Sequence, residues 1–329
     1  MRAAVITQPG GPEVLAVRDV PRPEPGPHEV AVRVRASALN RADLLQRQGR
    51  YPAPNDSPRD IPGLEFAGEV ATTGPAVTRW RRGDRVCGII GGGAQAEFLV
   101  AHEGALARVP ERLGWPEAAA IPEAFITAYD AMITQAALTT GESVLIHAVG
   151  SGVGLAAVQV ARAWGATPYG TSRTADKLER ARAFGLADGC VVGTGLDGLT
   201  AFVGGVTGGR GVDVILDLVG GTYVSVGIEC LALKGRLMIV GTMAGTQATI
   251  DVRRVLGRRL TLRGTVLRAR PLAEKIAVTE AFARDVLPLF DAGRLAPVID
   301  RVFPLESIGE AHRHLESNET FGKVVIEIG

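Results

Sequence analysis

Cysteine is scarce in this chain: Cys87, Cys190 and Cys230 are the only three in 329 residues. They stand far apart and are odd in number, which excludes a disulfide framework and any cysteine spacing typical of a metal site, and makes a reducing cytoplasm the expected compartment. Net charge is nearly absent, +1 at neutral pH, so nothing in the charge balance points to nucleic acid or an anionic membrane. Aromatic residues are sparse at 5% and outline no substrate pocket. The opening Met1-Arg2-Ala3-Ala4-Val5-Ile6 lacks the apolar core of a signal peptide. Low-complexity tails and repeats of solenoid period are also missing. One stretch, residues 143–161, carries no formal charge. Its glycines, His147 and Gln159 argue against a membrane span, which needs ~20 predominantly apolar residues in an unbroken helix. What remains is the composition of a globular chain, long enough for two domains.

The same uncharged stretch organises the chain. Residues 144–146 are an apolar, β-branched run of the kind that forms a fully buried strand. A glycine-rich turn follows through Gly150, Ser151, Gly152, Val153 and Gly154. Residues 155–164 then place apolar side chains at helical spacing, and Gly165 closes the segment. Strand, glycine turn and helix together bring backbone N–H groups and the positive end of a helix dipole to one point, which suits a pyrophosphate. In the Gly-x-Gly-x-x-Gly register the positions read Val149, Ser151 and Gly154, so the motif by itself is also compatible with a tight connection that binds nothing. A nucleophile elbow around Ser151 is disfavoured, because the flanking positions that need glycine hold Val149 and Val153.

Residues 1–122 read as β-rich, with short apolar runs at 3–6, 30–34 and 66–70 separated by proline and glycine clusters. That texture predicts a barrel-like all-β domain. After Pro122 helical and strand patterns alternate. Helices are expected over 123–137, 174–184, 224–233 and 273–290, and strands over 144–146, 166–172, 189–192, 212–218, 236–240 and 260–267. Alternation of this kind implies right-handed crossovers and a parallel sheet covered on both faces; six strands in two sets of three is the dinucleotide-binding arrangement. The fold class is therefore α/β: a barrel domain plus a doubly wound parallel six-stranded sheet. The last strand, 322–328, is expected to return to the first domain. The expected domains are residues 1–122 with 268–329, and residues 123–267.

The cofactor choice follows from the end of the second strand of that sheet. An acidic residue about 20 positions past the glycine turn would select the free ribose hydroxyl of NAD. Here the region reads Tyr169-Gly170-Thr171-Ser172-Arg173-Thr174, and the first carboxylate is Asp176, inside the following helix. Hydroxyls, Arg173 and Lys177 suit a 2′-phosphate, which a carboxylate would repel. NADPH is the expected cofactor; the competing reading makes Arg173 and Lys177 a solvated helix face.

With these features in hand, the chain resembles the zinc-independent quinone oxidoreductase branch of the medium-chain dehydrogenase/reductase superfamily, its stress-induced NADPH quinone oxidoreductase subgroup above all. The resemblance rests on Gly10-Gly11-Pro12-Glu13-Val14-Leu15, Ala38-Leu39-Asn40-Arg41-Ala42-Asp43, Gln46-Arg47-Gln48-Gly49-Arg50-Tyr51, Ile61-Pro62-Gly63-Leu64-Glu65, Ile121-Pro122-Glu123-Ala124, Ser151-Gly152-Val153-Gly154 and Gly322-Lys323. It implies a GroES-like barrel domain, a Rossmann domain, an active site in the cleft between them, and a homodimer formed by pairing the strand at 260–267 across a two-fold axis. Zinc-dependent relatives hold their catalytic metal with Cys, His and Cys. This chain has Asn40 at the place of the first Cys and Leu64 at the place of the His, and no four-cysteine lobe, so no metal is expected.

The resemblance implies that Ser151, Gly152, Val153 and Gly154 contact the pyrophosphate, that Thr127 lies near the cofactor, and that Ser172, Arg173 and Lys177 bind the 2′-phosphate. Gly241, Thr242 and Met243 follow a strand at its ligand-binding carboxyl end. Residues 267–270, beginning with Leu267, are implied on the nicotinamide side, and Gly322 and Lys323 at the cleft. Tyr51, on a proline-flanked loop, is the first catalytic candidate: it either donates a hydrogen bond to the substrate oxygen or packs on the cofactor. Asn40 is expected to hydrogen-bond the nicotinamide ribose or the substrate. His147 reads as a core histidine, Asp213 as a polar strand-entry residue, and Asp217 stays undecided. The implied activity is metal-free transfer of reducing equivalents from NADPH to a small-molecule quinone. An NADPH-dependent enoyl or alkenal reductase is the alternative, and a non-catalytic NADPH-binding redox sensor a third class.

Overall fold

The computed structural model describes residues 1–193 and 196–329. In chain order the strands are β1 (Arg2–Ile6), β2 (Leu15–Asp19), β3 (Glu29–Ala38), β4 (Glu65–Thr73), β5 (Arg85–Ile89), β6 (Phe98–His102), β7 (Leu106–Arg108), β8 (Ser143–Ile146), β9 (Thr167–Ser172), β10 (Asp188–Val191), β11 (Val212–Asp217), β12 (Leu231–Ile239), β13 (Thr261–Gly264), β14 (Ile299–Pro304) and β15 (Lys323–Glu327). The chain divides into two compact units, Met1–Ile126 with Leu267–Gly329, and Thr127–Val266.

The first unit is built on a sheet in the order β14-β15-β3-β4-β5-β7, with β6 also paired to β3 and a separate β1-β2 ribbon. β3 is its spine. Val30, Val32 and Val34 alternate into the core with Phe66, Leu99, Val324 and Ile326, all at most 3% exposed. Burying each such side chain stabilises the unit by roughly 1.5–3 kcal/mol. The final strand β15 pairs antiparallel with β3, Val325 opposite Ala38, which ties the end of the chain to the start of the helix Arg41–Arg47.

The second unit holds a parallel sheet ordered β10-β9-β8-β11-β12-β13, the doubly wound pattern with its switch point between β8 and β11. β11 is buried on both faces throughout, as a central parallel strand must be. Among the described residues no helix is long and apolar enough to cross a membrane.

The strand expected over 260–267 shortens to Thr261–Gly264, and three expected helices change. The helix expected over 224–233 is Thr222–Cys230, because Leu231 already pairs with Val212 as the first residue of β12. Its apolar spacing looked helical, whereas the β12 pairing is non-local. The helix expected over 273–290 is two, Leu272–Asp285 and Leu287–Asp291, since Pro288 lacks an N–H and enters only a first turn. The helix expected over 123–137 runs as Pro122–Tyr129 and then widens into a π turn, Asp130–Gln135, where the Ala136 N–H reaches Ala131 O.

Candidate active site

The first unit gathers Asn40, Asp43, Glu65, Glu123, Arg268 and Lys323 into one network. Asn40 caps the helix Arg41–Arg47 in extended conformation, and the Asp43 carboxylate accepts from its N–H at 2.7 Å. The other Asp43 oxygen accepts from the Gly63 N–H at 2.8 Å. Glu65, fully buried on β4, accepts from Asn40 Nδ2 at 2.9 Å and from the Glu123 N–H at 2.8 Å, and pairs with Lys323 Nζ at 2.6 Å. Lys323 also donates to Leu39 O at 2.8 Å and to Asn40 Oδ1 at 2.6 Å. Its three ammonium protons are thus committed. So are both amide protons of Asn40, the second going to Ala38 O at 3.3 Å. With Oδ1 accepting from Lys323, the Asn40 amide is engaged at both of its polar atoms. Gly322 precedes the lysine at φ +101°; a Cβ there would lie 2.4 Å from Val298 O, so only glycine allows the chain to turn into β15 at this place.

Arg268, 4% exposed, holds the Tyr51 loop. Its guanidinium donates to Gly91 O at 2.7 Å, to Tyr51 O at 3.3 Å and to Gln46 Oε1, and lies 5.0 Å from the Tyr51 ring centroid. Burial raises the phenol pKa above its ordinary value, Glu123 adds to this, and Arg268 opposes it. Burial raises Asp43 to about 6, against its two backbone donors and the two cations. Burial, with Glu65 and Asp43 beside it, raises Glu123 to about 8. The Cys87 thiol is pushed up to about 12 by burial and by Glu65, so it is inert as a nucleophile. Leu64, 1% exposed, carries no donor atom.

The second unit brings the glycine turn and Lys177 together. Ala148 takes φ +51° and the Ser151 N–H closes back on Ala148 O at 2.9 Å. Ser151 then caps the helix Gly152–Ala163, its Oγ accepting from the Gly154 N–H at 3.0 Å. A Cβ at Gly154 would fall 2.6 Å from Ala148 O, and one at Gly150 would fall 2.9 Å from Lys177 Cδ. The turn is therefore closed to side chains, with a lysine stem lying along it: a cradle of N–H groups beside a cation, which fits a dinucleotide phosphate. Ser172 ends β9 and accepts from the Thr174 N–H at 3.2 Å; Arg173 is exposed beside it. Thr127 is buried, Gly241 half-buried, Thr242 and Met243 exposed, and Leu267 buried.

His147 is fully buried, Nδ1 3.0 Å from Thr171 Oγ1 and its ring edge-on to Tyr223. Burial lowers it to about 3, so it stays neutral, and Nε2 has no partner. Asp213 enters β11 bonded to Ser143 and Arg210. Asp217 accepts from the Val219 and Gly220 N–H groups and shapes the turn leaving β11. Arg268 falls within the implied 267–270 segment, whereas Glu65, Glu123 and Asp43 appear in the sequence reading only inside the family motifs, with no role of their own. A signal was there: Glu65 and Glu123 each interrupt an apolar run, as Leu64-Glu65-Phe66 and Pro122-Glu123-Ala124.

Residues 26–111 match the family described as alcohol dehydrogenase GroES-like domain, and residues 152–283 that described as zinc-binding dehydrogenase. A quinone oxidoreductase of Pseudomonas aeruginosa is 34% identical over 322 residues, 96% of either chain. Among solved structures, an NAD-dependent alcohol dehydrogenase superposes with TM-score 0.88 at 35% identity over the whole of both chains. A mycobacterial protein complexed with NADPH gives 0.88 at 28% identity, again over the whole of both chains. The CurK enoyl reductase gives 0.87 at 25% identity over 100% of this chain and 99% of its own.

Proposed function

The chain belongs to the medium-chain dehydrogenase/reductase superfamily, in its quinone oxidoreductase branch, as an oxidoreductase that takes a nicotinamide cofactor and a small-molecule substrate, and on that premise we propose that it is a metal-independent NADPH:quinone oxidoreductase. The bound nicotinamide supplies a hydride from C4; orientation, water exclusion and the handling of protons fall to the protein. The donor inventory around Asn40 carries this reading. Leu64 offers no ligand atom and the Asn40 amide is spent on Glu65, Ala38 and Lys323. An acceptor that needs no Lewis acid suits such a centre, and a quinone needs only hydrogen bonds and a proton at its reduced oxygens. Tyr51, its phenol held protonated, is the donor that orients the acceptor.

NADPH is favoured over NADH because Ser172, Arg173 and Lys177 stand where an acidic selector would otherwise sit, and a structural neighbour was solved with NADPH. Ser151, Gly152, Val153 and Gly154 take the pyrophosphate; Thr127, Gly241, Thr242, Met243 and Leu267 are the remaining cofactor contacts in this reading, with Gly322 fixing Lys323. The working form is a homodimer through β13, an edge strand with exposed Leu256 and Val266 nearby. The cytoplasm is the expected compartment, where Cys87, Cys190 and Cys230 stay reduced.

The enoyl reductase neighbour favours a second reading, in which Tyr51 protonates the α-carbon of an enoyl or alkenal substrate. The test is rapid-mixing oxidation of NADPH and NADH against benzoquinones, enones and enoyl thioesters, with Tyr51→Phe in parallel. Quinone turnover with NADPH, little changed in Tyr51→Phe, is the expected result. Turnover confined to enones or thioesters and steeply lost in Tyr51→Phe would reject the quinone reading in favour of the second.

A further inference from the structure

The charged groups that face Glu123 are Glu65, Asp43, Lys323 and Arg268, with the phenol of Tyr51 in the same field. Three carboxyls meet two cations, so the fully ionised cluster would carry one excess negative charge in a buried setting. One carboxyl therefore retains a proton most easily, and the donors decide which. Glu65 receives Lys323, the Asn40 amide and the Glu123 N–H. Asp43 receives two backbone N–H groups. Glu123 Oε2 is buried with no partner at all. A buried, donorless carboxylate oxygen is costly, and protonation removes the charge. Glu123 sits in the first turn of the helix Pro122–Tyr129, where the dipole favours an anion by only ~0.3–1 kcal/mol, and its own N–H is already given to Glu65.

The other proton carriers nearby are committed or mismatched. Lys323 and Asn40 have no proton to spare, as their bonding shows. The Tyr51 phenol is a weaker acid than an ordinary tyrosine. Resting on the reading above, we propose that Glu123 enters each turnover protonated and gives its proton to the acceptor as the acceptor is reduced, while Tyr51 only orients that acceptor by a hydrogen bond. The balance closes: the acceptor takes up a hydride, two electrons and one proton, from the reduced nicotinamide, which leaves oxidised. The second proton comes from Glu123, left as a carboxylate and reprotonated by solvent. A carboxyl near 8 is matched to proton transfer at neutral pH, where a phenol pushed up by burial from its already alkaline ordinary range is not.

Infrared difference spectra of the protein between pH 7 and 9.5 test the proton without turnover. A protonated-carboxyl C=O band that titrates in this range and is missing in Glu123→Gln is expected; its persistence in the variant, or its absence from the native protein, overturns the proposal. In turnover, Glu123→Gln is expected to lose on the order of 10²-fold or more in kcat and the alkaline limb of the pH profile, with NADPH affinity kept. Glu123→Asp should keep that limb, which also controls for a folding defect in the amide variant. Native kcat with a native alkaline limb in Glu123→Gln overturns the proposal while leaving quinone reduction intact. Loss of enone rather than quinone turnover would instead reject the quinone reading and leave the role of Glu123 standing.

Discussion

Replacing Glu123 by Gln should stabilise the protein at alkaline pH and do little near pH 5. The unfolded chain binds this proton only below the ordinary 4.5, whereas the folded chain holds it up to about 8. Between those values the folded state carries one more proton than the unfolded state, so native stability falls as pH rises. The contribution is fully present below 4.5 and lost by the time pH passes 8. At ~1.4 kcal/mol per pH unit over that window, the ionised side chain costs up to on the order of 4–5 kcal/mol by pH 9, less whatever relaxation and water recover. Gln keeps the shape of the protonated acid and removes the titration. Asp43, raised to about 6, adds a slope of the same sign at lower pH, but it is common to both proteins and cancels in the difference. Thermal melts of the two proteins from pH 5 to 9 check this. The melting-temperature difference should open toward alkaline pH to ~5–10 °C in favour of Glu123→Gln. A difference that stays constant across the range would refute the reasoning, because it would mean that Glu123 titrates alike in both states.

Further outcomes follow from the same geometry. Lys323→Met leaves the Glu65 carboxylate buried without its cation and should cost about 3–5 kcal/mol in urea unfolding, with Lys323→Met/Glu65→Gln recovering a substantial part; additive losses in this double-mutant cycle would contradict the ion pair. Arg173→Ala should raise the NADPH dissociation constant by roughly 10-fold or more and leave NADH nearly unchanged, whereas Lys177→Ala, whose stem also lies along the glycine turn, should weaken both dinucleotides and NADPH the more; titration by calorimetry reads this. Gly154→Ala places a Cβ 2.6 Å from Ala148 O and must open the turn, so it should lower stability by about 1–3 kcal/mol and weaken both dinucleotides alike.

The glycine turn, the strand alternation and the return of the last strand were legible because each is local: a β-branched run, a glycine that no side chain could replace, a helix period. Ser172, Arg173 and Lys177 could be picked out as cofactor candidates for the same reason, since they lie within one strand end and the helix after it. The centre of the first unit was only half legible. Asn40 and Tyr51 stood out by position, but the state of the Asn40 amide depends on Glu65 and Lys323, 25 and 283 residues away. No periodicity carries such a contact. Glu123 was hidden for a related reason. At the start of a helix a glutamate reads as an ordinary dipole partner, and only its burial against two other carboxyls makes it an acid. The start of β12 at Leu231 was missed because a helix and a buried strand leave the same short apolar mark until the partner strand is known.

Direct reduction of a quinone by NADPH, with no metal ion taking part, is checked by mixing chelator-treated protein with a benzoquinone and either NADPH or NADPH carrying deuterium at the transferred C4 position. Undiminished oxidation after chelation, with a primary isotope effect on it, is the expected result. Loss of activity on chelation restored by zinc, or oxidation indifferent to the label in a single turnover, would contradict it.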